Sequence, residues 1–222
     1  MTQIKERGII YSHQIPQLLD GSKTLSFRPV KPGAGMQAGW LKPETLRQSP
    51  AAEMGYVEGR IGAQFDHPLG GPLSFIYCPY GQPGERLYVR EAWRTLKEWD
   101  GRKPTELGDD ADGYISYNAD NLTLNNLWGR YRHARHMPQW ASRITLEILS
   151  VRVMRLQDMT ESEAVAAGAQ EHGNSGWWID YLCDGTVVNT AKNSYETLWD
   201  MMYGPGSWEK NPWVWAIEHR TL

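Results

Sequence analysis

Cysteine is scarce in this sequence, since 222 residues include only Cys78 and Cys183. The two cysteines do not form a Cys-x-x-Cys pair, which argues against a zinc ribbon, and they are too few for the framework of a disulfide-rich secreted domain. A reducing compartment is therefore expected, and we predict a cytoplasmic protein.

Long apolar runs are also missing. Residues 1–7 are largely polar, and no later run is long enough for a signal peptide or a membrane-spanning helix. We therefore expect no interaction with a membrane. With 41% hydrophobic residues, a chain of this length can bury one sizeable core, so we expect a single domain over residues 1–222.

The sequence has no excess of positive charge, because 23 Lys and Arg residues stand against 26 Asp and Glu residues. This balance argues against a histone-like or nonspecific duplex-coating protein, so nucleic-acid binding would need a local basic patch. Phe is rare as well, with three Phe against eleven Trp. Trp rings suit a core and also form platforms on which bases stack. We expect most of them in the core.

Alternating apolar and polar residues predict several strands. The longest stretch covers residues 143–155, and shorter ones cover 86–93 and 213–219. Residues 25–30 also predict an extended segment, because the prolines at its end exclude a helix. A weaker strand pattern covers 56–63. With few helical patterns beside them, these strands predict an α+β fold.

Two longer helices are expected. Thr160 and Glu163 have the spacing of a capping box, and Gly168 ends the helix that they begin. Residues 194–203 form a second, amphipathic pattern. Sequences rich in Gly, Pro or polar residues predict loop insertions around 33–71, 98–126 and 170–190.

A cluster of reactive side chains spans residues 21–28, Gly-Ser-Lys-Thr-Leu-Ser-Phe-Arg. Ser26 and Arg28, two residues apart in an extended segment, are expected on the same face, with Lys23 at the corner before it and Thr24 beside it. That face could bind an anionic or base-like ligand. The alternative is that Lys23 and Arg28 are solvated surface charges, the commoner fate of an isolated basic residue.

His136, Trp140 and Arg143 lie in a second cluster, residues 133–143. Two histidines three positions apart suit a metal on a helix, but a proline ends any helix nearby and no third ligand is evident. We therefore expect no metal and no cofactor. An imidazole beside Trp and Arg fits contact with a nucleobase and a phosphate, although such a histidine also commonly caps a turn.

Five motifs follow one another in order along the chain. They are Gly21-x-Lys23-x-x-x-x-Arg28, the turn and strand at 78–93, His136-Met137-Pro138 with Arg143, Leu156 to Thr160, and Asn211-Pro212-Trp213-Val214-Trp215. In this combination the chain resembles the ASCH-domain proteins of the PUA-like superfamily, in the form common in phages and prophages. The resemblance spans nearly the whole chain. It implies a mixed β-barrel with flanking helices, a cleft for nucleic acid or a modified nucleoside, and a place in the cytoplasm of a bacterial host.

In that family the Gly-x-Lys-x-x-x-x-Arg motif lines the cleft, so Lys23 and Arg28 carry over. Some relatives are amidohydrolases that remove an acyl group from the exocyclic nitrogen of cytidine, and others resemble ribonucleases. The amidohydrolases combine a Lys, a hydroxyl residue three positions later and a Glu in the downstream helix, and Lys23 and Ser26 match the first two. The third position is Ala-Ala-Gly at 166–168. The carboxylate would then come from another glutamate: Glu91, Glu163 or Glu171.

Three functions remain open. The preferred one is binding of RNA, single-stranded nucleic acid or a modified nucleoside, with a Trp stacking on a base and basic residues engaging phosphate or base edges. Its candidate residues are Lys23, Thr24, Arg28, Arg90, Trp93, His136, Trp140, Arg143 and Trp213. The second is a hydrolase, an N4-acylcytidine amidohydrolase or a ribonuclease, with the catalytic candidates Lys23, Ser26 and Glu91. The third is a phage assembly or host-interaction protein that uses a loop containing Trp177, Trp178 and Tyr181.

Overall fold

A computed structural model of the chain describes residues 5–31, 53–57, 60–64, 76–111, 113–120 and 126–222. Over these residues the protein is an α+β fold with few helices and a mostly open multi-stranded sheet, which confirms the predicted class. The chain divides into two compact units. Unit 1 comprises Met1–Gly21, Gly84–Glu147 and Arg220–Leu222, and unit 2 comprises Ser22–Pro83 and Ile148–His219. The single domain over 1–222 stays a prediction.

The helices and strands largely follow the sequence patterns. The described strands are β1 (Glu6–Ile10), β2 (Leu25–Pro29), β3 (Glu53–Val57), β4 (Arg60–Gln64), β5 (Ile76–Tyr77), β6 (Arg86–Arg90), β7 (Trp93–Arg94), β8 (Ser116–Tyr117), β9 (Thr145–Arg155), β10 (Trp178–Ile179), β11 (Val187–Val188) and β12 (Trp213–Thr221). The α-helices are α1 (Ile15–Leu19), α2 (Glu161–Ala166) and α3 (Ala191–Tyr203). The strands predicted at 25–30, 143–155 and 213–219 are thus confirmed as β2, β9 and β12, and the helix predicted at 194–203 as α3, with ends shifted by a few residues.

In unit 1, β6 lies between β1 and the beginning of β9. β1 runs parallel to β6, with Ile9 opposite Val89. β6 runs antiparallel to β9, with Leu87 opposite Leu146. All four side chains are buried, so the apolar residues of these alternating strands form part of the core, as a half-buried sheet requires.

The strand predicted over 86–93 is interrupted after Arg90. Trp93 begins a separate strand, β7, in which it lies opposite Tyr117 of β8. The backbone N–H and carbonyl of Trp93 also bond to the backbone of Arg132, at 3.1 and 2.9 Å. The chain therefore changes its hydrogen-bonding partners between Arg90 and Trp93, which a two-residue alternation in the sequence does not reveal.

In unit 2, β12 lies between β9 and β2. β2 runs antiparallel to β12, with Ser26 opposite Ile217 and Arg28 opposite Trp215. Directly opposed residues share one face of a sheet, and side chains alternate along each strand. Ser26, Arg28, Trp215, Ile217 and His219 therefore lie on the same face.

The other face of β2 and β12 carries the main core of unit 2. Leu25 and Phe27 pack with α3 residues such as Tyr195 and Trp199, and the rings of Phe27 and Tyr195 meet edge to face at 5.7 Å. α3 begins at Thr190, whose side chain accepts a hydrogen bond from the backbone N–H of Asn193. Burial of these large side chains holds the helix against the sheet.

Helix α2 has the predicted caps. The side chain of Thr160 accepts a hydrogen bond from the backbone N–H of Glu163, whose carboxylate accepts one from the N–H of Thr160. Ala167 is the C-terminal cap, and Gly168 follows with a φ of 101°, a left-handed conformation that ends helices. The caps thereby fix where α2 begins and ends.

The loop insertions are described in part. Residues 56–57 and 60–63 of the weak strand pattern belong to two strands, β3 and β4, which pair antiparallel in a sheet with β5. Much of the insertion around 33–71 lies outside the described residues, as do 112 and 121–125 of the insertion around 98–126. The insertion at 170–190 contains the hairpin β10–β11. Within the described ranges, no helix is long and apolar enough to cross a membrane.

Candidate functional site

Lys23 lies at the corner between α1 and β2 and is buried, with 2% of its surface exposed. Its Nζ donates hydrogen bonds to the carbonyls of Leu25, at 2.9 Å, and Ala167, at 2.5 Å. The backbone N–H of Thr24 donates to the carbonyl of Ala166 at 2.9 Å, while the Thr24 side chain is exposed. The last carbonyls of α2 therefore hold the backbone and the ammonium group at the start of β2. The structure thus excludes the alternative of Lys23 as a solvated surface charge.

The charge state of Lys23 is shifted by its surroundings. Burial, and then the positive charge of Arg28, lower the pKa of the Lys23 ammonium well below its usual range. Removal of a charged group from water disfavours its charged form, and a like charge adds to that effect. Lys23 and Arg28 are thus close enough in unit 2 to interact electrostatically, as their shared motif suggested.

Ser26 forms a hydrogen bond with a histidine that the sequence analysis did not select. Its Oγ lies 2.9 Å from Nε2 of His219, and both side chains are buried. The backbone N–H of His219 donates to the carbonyl of Thr24 at 2.8 Å. The antiparallel pairing of β2 with β12 therefore brings together two residues that are 193 positions apart.

His219 is uncharged at neutral pH. Burial, followed by the positive charges of Lys23 and Arg28, lowers its pKa to about 3. Among the described residues, its Nδ1 has no hydrogen-bond partner. The ring therefore offers one nitrogen to Ser26 and carries a second, buried polar atom that an incoming ligand can satisfy.

Together, Lys23, Ser26, Arg28 and His219 form what we call the β2–β12 cluster. It combines a hydroxyl, an imidazole and two basic groups in one unit, and the basic groups create a positive potential at the imidazole. Such a cluster can bind an anionic or electron-rich group, and a hydroxyl beside a neutral imidazole can also act as a nucleophile.

Trp213 lies near this cluster in sequence but its ring is covered. Only 8% of the residue is exposed, and the guanidinium carbon of Arg155 lies 4.5 Å from the ring centroid. The interaction is a cation–π contact. Stacking of a base on Trp213, as predicted, would require displacement of Arg155.

Glu91 and Arg143, both predicted site residues, pair with each other in unit 1. Arg143 donates to both carboxylate oxygens of Glu91, at 2.9 and 3.1 Å, and its remaining nitrogen, Nη1, donates to Asp120 at 3.0 Å. Its guanidinium also stacks 4.0 Å from the ring centroid of Tyr117. Burial raises the pKa of Glu91, Arg143 opposes this shift, and the charge of Asp120 adds to it. We call these four residues the Arg143 cluster. Glu91 and Lys23 belong to different units.

The other unit 1 candidates are distributed between core and surface. Trp93 is fully buried, so its ring offers no open face for a base, which corrects its predicted role in stacking. Trp140 is half-buried and meets Trp93 edge to face at 5.8 Å. Arg90 donates to the carbonyl of Arg135 at 3.2 Å, and His136 is exposed and accepts from Arg135 at 3.1 Å.

Two further glutamates, Glu163 and Glu171, are candidates to replace the carboxylate that is missing at 166–168. Glu163 completes the cap of α2 and pairs with Arg152. Glu171 accepts a hydrogen bond from the backbone N–H of Gly176 at 2.7 Å. Both carboxylates therefore stabilise local structure. The backbone carbonyl of Ala167, in the expected carboxylate position, contacts Lys23.

The aromatic residues of the 170–190 insertion have different surroundings. Trp177 is half exposed, whereas Trp178 and Tyr181 pack against the main core of unit 2. The Tyr181 hydroxyl donates to the carbonyl of Gly168 at 3.2 Å, and burial raises its pKa to about 12. Of the three, only Trp177 keeps a largely open surface for a protein partner.

His219 could have been found from the sequence. The alternation that predicted the last strand places Trp213, Trp215, Ile217 and His219 on one face. A histidine at the end of such an apolar series is a polar group at a buried position, and a buried polar group requires a partner. The identity of that partner depends on strand pairing, which the pattern does not contain.

The described residues include no group of three or more His, Cys, Asp or Glu side chains that could hold a metal ion. Comparison of the chain with models of protein families, with curated proteins and with solved structures gave no match.

Proposed function

We propose that the chain is an ASCH-type protein of the PUA-like superfamily that binds a modified nucleoside or single-stranded nucleic acid, RNA above all, at the β2–β12 cluster. In this proposal the sheet of unit 2 contributes to a PUA-like barrel. The observation that carries the proposal is the hydrogen bond between Ser26 and His219, formed beside the two basic side chains of the predicted motif.

The chemistry of the cluster suits a base or a phosphate. Nucleobase edges present hydrogen-bond donors and acceptors, which a hydroxyl, an imidazole and a guanidinium can match, and a phosphate is favoured by positive potential. The lowered pKa of His219 supports such a potential, since Lys23 and Arg28 contribute to it after burial. The half-buried Arg28 is the group through which a ligand would first make contact.

The position of Ala167 supports the proposed family. The resemblance pairs the motif lysine with the end of the downstream helix, and Nζ of Lys23 lies 2.5 Å from the carbonyl of Ala167. The contact is made through the backbone rather than a carboxylate. It supports the alignment of the motifs with the family while leaving the acidic group of its amidohydrolases unmatched.

Binding is tested with Arg28→Ala. Titration of the protein with cytidine, N4-acetylcytidine and a labelled single-stranded RNA at low ionic strength should show saturable, salt-dependent binding to at least one of them. Loss of a charge-assisted hydrogen bond should weaken that binding by about tenfold or more. Arg152→Ala is the matched control, because it removes a cation of unit 2 that pairs with Glu163, and binding should then change little. Absence of binding to all three ligands would rule out the proposal.

A hydrolase is the second candidate, and the proximity of Ser26 to a neutral imidazole favours it. Its substrate would be an N4-acylated cytidine or, alternatively, an RNA phosphodiester. Incubation with N4-acetylcytidine and with labelled RNA, followed by chromatography of the products, shows which of the two substrates is hydrolysed. Activity should be lost in Lys23→Ala, because Lys23 would stabilise the developing negative charge. Products that form equally well with the variant would exclude Lys23 from the reaction.

A further inference from the structure

We infer that Ser26 and His219 act as a nucleophile and its base in acyl transfer, and that Lys23 and Arg28 stabilise the negative charge that develops on the acyl oxygen. The inference rests on the proposed function in using the same cluster. It adds a covalent acyl-serine intermediate and gives His219 the role that a glutamate has in the resemblance to the amidohydrolases.

The geometry meets the first requirement of such a pair. The 2.9 Å separation of Ser26 Oγ and His219 Nε2 is within the range over which a proton passes along a hydrogen bond. Both residues lie on paired strands, where Ser26 is opposite Ile217 and His219 bonds to the backbone of Thr24. The backbone ladder therefore fixes their relative position before any substrate binds, which is the preorganisation that catalysis needs.

The second requirement, a base that can take up the proton, is met only in part, because a histidine with a pKa of about 3 is uncharged but weakly basic. A base must be uncharged to accept a proton, and His219 is uncharged because it is buried beside Lys23 and Arg28. The same positive charges disfavour the imidazolium that forms when Ser26 loses its proton. They favour the oxyanion that forms at the same time, so the two effects oppose each other within one step.

The reaction has two balanced steps. The Ser26 hydroxyl proton passes to Nε2 of His219 while Oγ bonds to the carbonyl carbon; the C–N bond of the amide then breaks, and the amine leaves with the proton from Nε2. Water next attacks the Ser26 ester and gives a proton to Nε2. That proton returns to Oγ as the ester bond breaks, which releases the carboxylic acid and restores both residues.

The other ring nitrogen sets this pair apart from a catalytic triad. In the described part of the chain, Nδ1 of His219 has no hydrogen-bond partner, so no carboxylate holds the ring or stabilises its charged form there. We therefore expect slow turnover. The acyl group must also gain access, because Ser26 and His219 are 2% and 0% exposed, and a chemical label reports that access directly.

The test replaces the hydroxyl with a thiol, whose ionisation can be followed without a substrate. Ser26→Cys is made in the full chain with Cys183→Ser, which removes an exposed thiol, and its alkylation by iodoacetamide is followed across pH by mass spectrometry. Burial raises the pKa of a thiol, whereas a neighbouring imidazole and basic groups lower it, so a thiol that this pair activates should ionise at a lower pH than an ordinary cysteine although it is buried. Ser150→Cys in the same background is the matched control, because Ser150 of unit 2 bonds to a carboxylate, Glu218, at 2.9 Å.

The outcomes separate the inference from the proposed function. The inference is supported if the thiol of Ser26→Cys has a lower apparent pKa than that of Ser150→Cys. It is supported further if adding His219→Asn raises the apparent pKa toward the control value. A Ser26→Cys profile that matches the control, or that His219→Asn does not change, would overturn the inference. Binding of cytidine and N4-acetylcytidine to each variant is measured in parallel. If binding is retained but the thiol is not activated, only this inference is overturned and the proposed function is not.

A second measurement covers failure of the thiol variant to fold. Wild-type protein is treated with p-nitrophenyl acetate, and its peptides are analysed for acetylation. Acetyl-Ser26 that forms in the wild type and is absent from His219→Asn supports the pair. A wild-type protein without acetyl-Ser26, or with the same yield in the variant, overturns it.

Discussion

The β2–β12 cluster of unit 2 and the Arg143 cluster of unit 1 each include at least one buried polar side chain, but their charges are balanced differently. In unit 1, one guanidinium is bonded to two carboxylates, those of Glu91 and Asp120. In unit 2, a neutral imidazole lies in the positive potential of Lys23 and Arg28. The first cluster contains its own counter-charges, whereas the second presents positive potential to whatever approaches it.

This difference makes the β2–β12 cluster the better candidate for a functional site. A bidentate pair such as Glu91–Arg143 satisfies its own hydrogen bonds, and loss of one partner leaves an uncompensated charge. A cluster with depressed pKa values for both a lysine and a histidine is the arrangement in which functional sites are found. Four substitutions test the contrast.

His219→Gln should change the response of stability to acid. The unfolded histidine has a pKa of about 6.5, whereas burial and the charges of Lys23 and Arg28 lower the folded value to about 3. The neutral ring therefore contributes stability that is present above pH 6.5 and is lost as the pH falls toward 3, at most roughly 5 kcal/mol. Urea denaturation across this window should show a steeper loss for wild type than for the variant. If the unfolding free energies of wild type and variant fall in parallel with pH, His219 is not held neutral. His133→Gln, at an exposed site, serves as the control.

Glu91→Gln should destabilise the protein by about 2 to 3 kcal/mol, because it removes one charge from a largely buried pair. The Glu91 side chain is 3% exposed and that of Arg143 is 23% exposed. Glu106→Gln breaks the exposed pair with Lys103 and should cost less than about 1 kcal/mol. Equal effects in urea denaturation would contradict a structural role for the Arg143 cluster. Retained nucleoside binding by Glu91→Gln would sharpen that assignment.

Asp120→Asn should have a weaker effect, about 1 kcal/mol, because its side chain is 29% exposed. It should also lower the pKa of Glu91, since the negative charge of Asp120 is one of the causes that raise it. The carboxyl carbon of Glu91, followed by NMR through a pH titration, reports this shift. An unchanged or higher value would mean that the two carboxylates do not interact.

Arg28→Gln should raise the pKa of His219 above about 3, because one of two nearby positive charges is removed. Burial is the first cause of the depression and remains, so the increase should be modest and stability should change little. The imidazole resonance of His219 gives the value, with Arg152→Gln as the control. If both variants leave the titration of His219 unchanged, the positive potential in unit 2 does not come from the predicted motif.

Much of the local structure was predictable because its causes are local. The caps of α2 depend on Thr160, Glu163 and Gly168, which lie within nine positions of each other, and the alternation of β9 and β12 is visible in the sequence. The break between Arg90 and Trp93 was not predictable. Its cause is the backbone pairing of Trp93 with Arg132, a contact between distant parts of the chain.

The candidate site shows the same difference between local causes, which the sequence reveals, and long-range causes, which it does not. Lys23, Ser26 and Arg28 are neighbours, so their association could be predicted from residue types and spacing. The partner of Ser26 could not, because a one-residue shift in the pairing of β2 with β12 would turn His219 to the other face. The sequence also indicated Glu91 as a catalytic residue and Arg143 as a ligand contact, although the two side chains pair with each other. Opposite charges can be recognised in a sequence, but their pairing cannot.

The end of helix α2 positions the ammonium group of Lys23. Its final carbonyls receive the N–H of Thr24 and the ammonium of Lys23, so the alignment of the ammonium depends on where the last turn stops. A replacement at Gly168 or Thr160 that lengthens, shortens or frays this helix would shift the nitrogen without touching a bound molecule. If the β2–β12 cluster binds a ligand as proposed, changes in this short helix should therefore impair binding as well, although the helix residues themselves would not contact the ligand.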